Sequence, residues 1–145
     1  MSWQHFMTRI SGQRAQVLLD RQFEGKPLPG AQLPHFATVT IKNQLPPSGA
    51  LWHPDEAPRL EKMEASLLQE VGKASRGWGI YVCRIAVEGS RQYFIYFGDQ
   101  AQVAKGLVTF QDLNPTYKAQ VDFSEDPSWS HYQGWLKQAP PPQPR

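Results

Sequence analysis

Two apolar runs near the middle of the chain, IYVCRIAV at 80–87 and QYFIYF at 92–97, constrain its fold more than any other feature. Both are rich in β-branched and aromatic residues, and only Glu88-Gly89-Ser90-Arg91 separates them. That composition predicts an antiparallel hairpin with Gly89-Ser90 as its two-residue turn. The register that follows sets Arg84 opposite Ile95, Ile85 opposite Phe94 and Ala86 opposite Tyr93. Tyr81, Cys83, Ile85 and Val87 then share one face. Val82, Arg84, Ala86, Tyr93, Ile95 and Phe97 share the other, fringed by Glu88 and Arg91.

The remaining elements arrange themselves around that hairpin. Residues 3–9 and 15–20 flank the turn signal Ser11-Gly12-Gln13 and predict an N-terminal hairpin. The proline- and glycine-rich stretch GKPLPGAQLPH at 25–35 predicts an irregular connection, and FATVTIK at 36–42 alternates like a half-buried strand. After a second proline-rich loop at 46–58, Leu60, Met63, Leu67, Leu68 and Val71 recur at helical spacing. Asp55 is the expected cap, with Pro58 in the first turn and Glu61, Lys62, Glu64, Gln69 and Glu70 turned outward. Residues 99–107 predict a short helix capped by Asp99, and Tyr117, Ala119, Val121 and Phe123 alternate as another strand. Asp126 as N-cap and Pro127 at N1 predict a last helix in which Trp129, Tyr132, Trp135 and Leu136 form an aromatic anchor. From residue 36 the order is β-α-β-β-α-β. The expected class is therefore α+β: a ferredoxin-like sheet with helices on one face, an added N-terminal β-hairpin and a C-terminal helix. The hairpin is expected either to extend the sheet or to cover its open face.

Composition narrows the function classes. At 145 residues, with 40% apolar and 12% aromatic residues, the chain can bury a core as one domain, expected over 1–138. A proline-rich tail at 139–145 is expected to be disordered. Net charge is +2, from 15 basic and 13 acidic residues, too even to select nucleic acid or an anionic membrane. A single cysteine excludes an internal disulfide framework. The start, MSWQHFMTRISGQ, lacks the pattern of a signal peptide, and no apolar run reaches membrane-spanning length, so a cytoplasmic location is expected.

Several stretches together resemble domain-of-unknown-function family 695: Trp3, LPHFATVTI at 33–41, DEAPRLEKMEASL at 55–67, YVCRIAVEGSRQYFIYF at 81–97 and EDPSWSHYQGWL at 125–136. The most specific piece is the terminal motif of Glu125, Asp126, Pro127, Trp129 and Tyr132. The loop before the first helix departs from the family, which has Gly-Leu-Pro where this chain has Gly49-Ala50-Leu51-Trp52-His53-Pro54. The resemblance implies a bacterial protein, near in fold to the regulator-of-ribonuclease-E group, with no established activity.

Chemistry-bearing constellations are sparse. His5, His35, His53 and His131 match no metal-ligand spacing, so no metal and no cofactor is expected. Cys83 sits mid-strand on an apolar face, where cysteine packs as a small hydrophobe. The carboxylate groups Glu61–Glu64 and Asp122–Glu125–Asp126 read as helix surface and capping, so no catalytic residue is assigned. An RNA-recognition domain shares the element order, but the 91–97 strand departs from its aromatic signature. The leading expectation is a non-enzymatic, protein-binding module, such as a regulator or a toxin-neutralising immunity protein. An RNA-binding or ribonuclease-regulating domain and an enzyme of unrecognised type are the alternatives. The expected contact residues are Arg84, Arg91, Tyr93 and Phe97 on the hairpin's second face and Trp52 and His53 on the preceding loop.

Overall fold

The computed structural model describes residues 2–141. The elements are β1 (Trp3–Ile10), β2 (Gln13–Asp20), β3 (His35–Lys42), α1 (Ala57–Ser75), β4 (Gly79–Val87), β5 (Ser90–Phe97), α2 (Gln100–Leu113), β6 (Ala119–Glu125) and α3 (Ser130–Gln138). The class is α+β. The strands form one six-stranded antiparallel sheet in the order β1-β2-β4-β5-β3-β6. The N-terminal hairpin thus extends the sheet by pairing with the free edge of β4, and does not fold over a face.

The hairpin β4–β5 forms, with a register other than the expected one. Glu88 and Gly89 make the turn, so Val87 faces Ser90 and Arg84 faces Tyr93. Gly89 explains the choice: its φ of 83° is left-handed, which glycine adopts without steric cost. A second departure lies at the start of β4, where the pairing slips between Tyr81 and Cys83. Such a bulge reverses the face alternation at one residue. Val82 joins Cys83 on one side of the sheet, and Tyr81 replaces it beside Arg84 on the other.

Each face of the sheet carries its own core. On one, α1 and α2 lie over Ala37, Val39, Ile41, Tyr93, Ile95 and Phe97, with Leu60, Met63, Leu67, Val103, Leu107 and Phe110 from the helices. The second helix runs two turns beyond the expected end because Phe110 still points into this core. On the opposite face, α3 and the 21–34 connection cover Val17, Leu19, Phe36, Cys83, Ile85, Phe94 and Tyr96. Helices on one face only was the expectation. The aromatic content of α3 and its entry turn instead closes the second face.

The entry to α3 also differs in detail. Asp126 caps the helix, but from a turn that precedes it: Trp129 is left-handed at φ 56°, and the helix starts at Ser130. Pro127 therefore sits in the turn and not at N1. Asp126 accepts hydrogen bonds from Ser130 N at 2.9 Å, Ser130 Oγ at 2.7 Å, His131 N at 3.0 Å and the Tyr96 hydroxyl at 2.6 Å. Trp129 stacks on Tyr96, with ring centroids 4.0 Å apart, and donates from Nε1 to Leu33 O at 2.9 Å. The Tyr132 hydroxyl donates to Asp20 O at 2.6 Å. Gly30 must be glycine for this turn to dock, since a Cβ there would meet Pro127 O at 1.8 Å.

In the loop that leads into α1, Asp55 is exposed and does not cap the helix. Its neighbour Glu56 is buried and accepts from Gln44 N, Leu45 N and the Tyr117 hydroxyl at 2.8, 2.9 and 2.6 Å. Burial alone would raise its pKa, but these three bonds and the nearby Arg59 charge lower it below the ordinary glutamate value. Ala139 packs on the second core, and Pro140 O accepts from Gln4 Nε2 at 3.0 Å and Arg21 Nη1 at 3.2 Å. The rest of the proline tail, 142–145, lies outside the described residues.

Candidate functional site

Helix α1 and α2 cover β4, β5, β3 and β6 on their side, and leave the β1–β2 half of that face uncovered. Alternation along β1 puts Trp3, His5, Met7 and Arg9 on this open half, because Phe6 points to the other core. Trp3 and Met7 are 36% and 58% exposed, and Trp3 packs against Tyr81 with ring centroids 5.1 Å apart. Across on β2, Asp20 faces Trp3, Leu18 faces His5 and Gln16 faces Met7. The surface is a step, with the open half-sheet as tread and α1 as riser.

At the foot of that step lies a cleft of about 290 Å³, lined by His5, Gln16, Trp52, Ala57, Glu61, Glu64, Arg84 and Arg91. Arg84 donates from Nη1 to both carboxylate oxygens of Glu64, at 2.9 and 3.2 Å, and from Nη2 to Gln16 Oε1 at 3.2 Å. Arg91 lies 3.6 Å from the same Glu64 Oε1. The Trp52 indole sits over the Arg91 guanidinium, whose carbon is 4.6 Å from the ring centroid. Backbone bonds hold this loop in place: Gly89 N donates to Leu51 O at 3.2 Å and Asn43 N to Gly89 O at 2.8 Å. The β4–β5 turn therefore positions the tryptophan.

Electrostatics here are those of a partly desolvated cluster. Burial would lower the Arg84 pKa, but the hydrogen bonds and charge of Glu64 outweigh it and hold the guanidinium charged. Burial, reinforced by the Glu64 charge, raises the hydroxyls of Tyr81 and Tyr93, which stay protonated. Cys83 on the opposite face is buried, and burial raises its thiol well above the ordinary range.

The expected contact residues divide on this geometry. Arg84, Arg91 and Trp52 come together at the cleft. His53 stands beside it, accepting from Asp55 N at 3.0 Å through Nδ1, and does not line the cleft. Tyr93 and Phe97 are fully buried beneath α1 and α2 and present no surface to a partner. The hairpin's second face is thus covered by helices and not by the N-terminal hairpin. Trp52 is half-buried against that core, so the exposed loop tryptophan expected there is a packed one. Asp126, Pro127, Trp129 and Tyr132 assemble as the structural anchor described above. Glu64, which sequence reasoning turned outward, is the charge that joins both arginines. Its signal was present: it lies four residues after Leu60 and three before Leu67, on the buried stripe by spacing. Trp3 drew notice only through the family resemblance and His5 only as a metal-ligand candidate, and Gln16 carried no signal.

Among the described residues no group of three His, Cys, Asp or Glu side chains is placed to hold a metal ion, and no helix is long and apolar enough to cross a membrane. No curated protein and no solved structure matches the chain. The model of the family of unknown function DUF695 matches residues 1–137, and the chain belongs to that family.

Proposed function

We propose that this member of DUF695 is a non-enzymatic, cytoplasmic binding module whose ligand is another protein, in the class of a regulator or a toxin-neutralising immunity protein. The observation that carries the reading is the open β1–β2 half-face, where Trp3 and Met7 are exposed beside a cleft holding two arginines. Tryptophan, methionine and arginine are the residue types enriched where proteins meet. A step-shaped surface with Trp3 and Met7 among polar and basic residues on its tread and a charged corner offers both area and orientation to a partner. We read β3–α1–β4–β5–α2–β6 as a ferredoxin-like unit extended at β4 by the N-terminal hairpin. The neighbour relations β4-β5-β3-β6 support that reading.

RNA binding draws less support. An RNA platform on this element order would use aromatics on the sheet face opposite α1 and α2, and there Phe36, Phe94 and Tyr96 are buried beneath α3 and the 21–34 connection. The test is in-cell photocrosslinking with a benzophenone side chain at position 7, on the open face, or at position 108, an exposed site on α2. A protein adduct from position 7 and none from position 108 is the expected outcome. An RNA adduct, or no adduct at position 7, would refute the docking surface.

A further inference from the structure

Arg91 is only 3% exposed, yet no carboxylate of a described residue comes within hydrogen-bond distance of it, and its polar neighbour inside is the neutral Tyr93 hydroxyl. Its nearest carboxylate oxygen, Glu64 Oε1 at 3.6 Å, already accepts from Arg84 at 2.9 Å. The Nε atoms of Arg84 and Arg91 and the hydroxyls of Tyr81 and Tyr93 are out of contact with solvent and have no partner among the described residues. Buried guanidiniums ordinarily find acceptors, because an unpaired buried charge is costly. This cluster has donors in excess of acceptors. Glu64 is the one carboxylate paired with Arg84 and Arg91 among the described residues; Glu61, the other acid at the cleft, is exposed and pairs with neither.

Both guanidiniums line the cleft, so an acceptor can reach them from outside. We propose that the cleft takes a single carboxylate group, which Arg91 and Arg84 bind opposite Glu64. A monoanion supplies the acceptor that the buried Arg91 lacks at the smallest cost in added negative charge. A doubly charged phosphate would set more negative charge beside Glu61 and Glu64, which both line the cleft. The Arg91 guanidinium carbon lies over the Trp52 ring at 4.6 Å, and the forked donors of a guanidinium match a planar carboxylate. The inference extends the docking reading, since an aspartate or glutamate of the partner would supply the group. A free small carboxylic acid has the same chemistry, and the experiment separates the two.

The test follows the arginine Nε–H signals of the folded protein by NMR while sodium acetate replaces sodium chloride at constant ionic strength. A saturable shift of the Arg91 signal is expected with acetate and none with chloride. Arg91→Gln should weaken acetate binding by at least about tenfold, the loss of a charge-assisted hydrogen bond. Glu61→Gln alters an exposed residue and should tighten binding by about twofold, which keeps the proposal open to refutation if Arg91→Gln fails to fold. Lack of saturation with acetate, an equal response to chloride, phosphate binding as tight as acetate, or no tightening in Glu61→Gln would each overturn the carboxylate site. A short peptide with one glutamate among apolar residues then identifies the source. Tighter binding than acetate, lost in Trp3→Ser, assigns the carboxylate to a protein partner. Binding no tighter than acetate, and unaffected by Trp3→Ser, keeps the site for a free carboxylic acid and removes the docking reading.

Discussion

Asp126→Ala removes an acceptor for four hydrogen bonds at once, from Ser130 N, Ser130 Oγ, His131 N and the Tyr96 hydroxyl. Loss of the helix cap costs about 1 kcal/mol. Leaving the buried Tyr96 hydroxyl without its charged acceptor costs about 1–3 kcal/mol more. Together these predict about 2–4 kcal/mol, a fall of about 5–15 °C in melting temperature for a domain of this size. Acid gives an independent reading of the same contacts. Burial would raise the Asp126 pKa, but the bonds from Tyr96, Ser130 and His131 outweigh it and lower the value from 3.8 to about 2. A carboxylate depressed on folding contributes stability that is fully present above its unfolded value of 3.8 and is lost as pH falls through about 2. The shift corresponds to about 2 kcal/mol. Asp126→Asn should abolish that component of the acid dependence while keeping the side-chain shape. The assay is urea unfolding followed by tryptophan fluorescence, with wild type, Asp126→Ala, Asp126→Asn and Tyr96→Phe measured between neutral pH and pH about 2. The reasoning fails if Asp126→Ala stays within about 0.5 kcal/mol of wild type, or if wild type and Asp126→Asn lose stability in parallel over that window.

Glu64→Gln should destabilise by about 3–5 kcal/mol, because two buried guanidiniums lose their shared counter-charge; an unchanged denaturation midpoint would mean that solvent already compensates them. Gly30→Ala should keep the sheet but loosen the turn at 126–129, since the new Cβ would collide with Pro127 O at 1.8 Å. Circular dichroism and thermal melts should show a loss of at least about 2 kcal/mol, and a neutral result would show that the 29–33 loop yields freely. The buried Cys83 should react with a thiol reagent only as fast as the protein unfolds; rapid labelling of the native protein would place it at an accessible surface.

Local pattern and tertiary context divide the molecule unevenly. The alternation at 36–42, the helical stripe from Leu60 to Val71 and the two runs at 80–97 each declare an element and its buried side, because side-chain period is a property of the backbone they adopt. The DUF695 motif at 125–132 likewise announced a capped aromatic anchor, since carboxylate, proline and aromatic roles at a helix entry are set by nearest neighbours. Periodicity does not say what covers a buried face. Nothing local in 3–20 distinguishes adding to β4 from folding over the sheet, and nothing in 130–138 selects the face opposite α1. The bulge at Val82 exchanged Val82 for Tyr81 beside Arg84, and a turn at Glu88-Gly89 shifted every partner across the hairpin. The cleft shows the same division. Arg84, Arg91 and Trp52 drew notice as residue types, but Glu64 was assigned to solvent because a carboxylate is favourable inside only when cations reach it from other strands. The burial of a charge is decided by groups distant in sequence. That is why the chain alone fixes its elements, while only the assembled sheet brings Glu64, Arg84 and Arg91 to one corner.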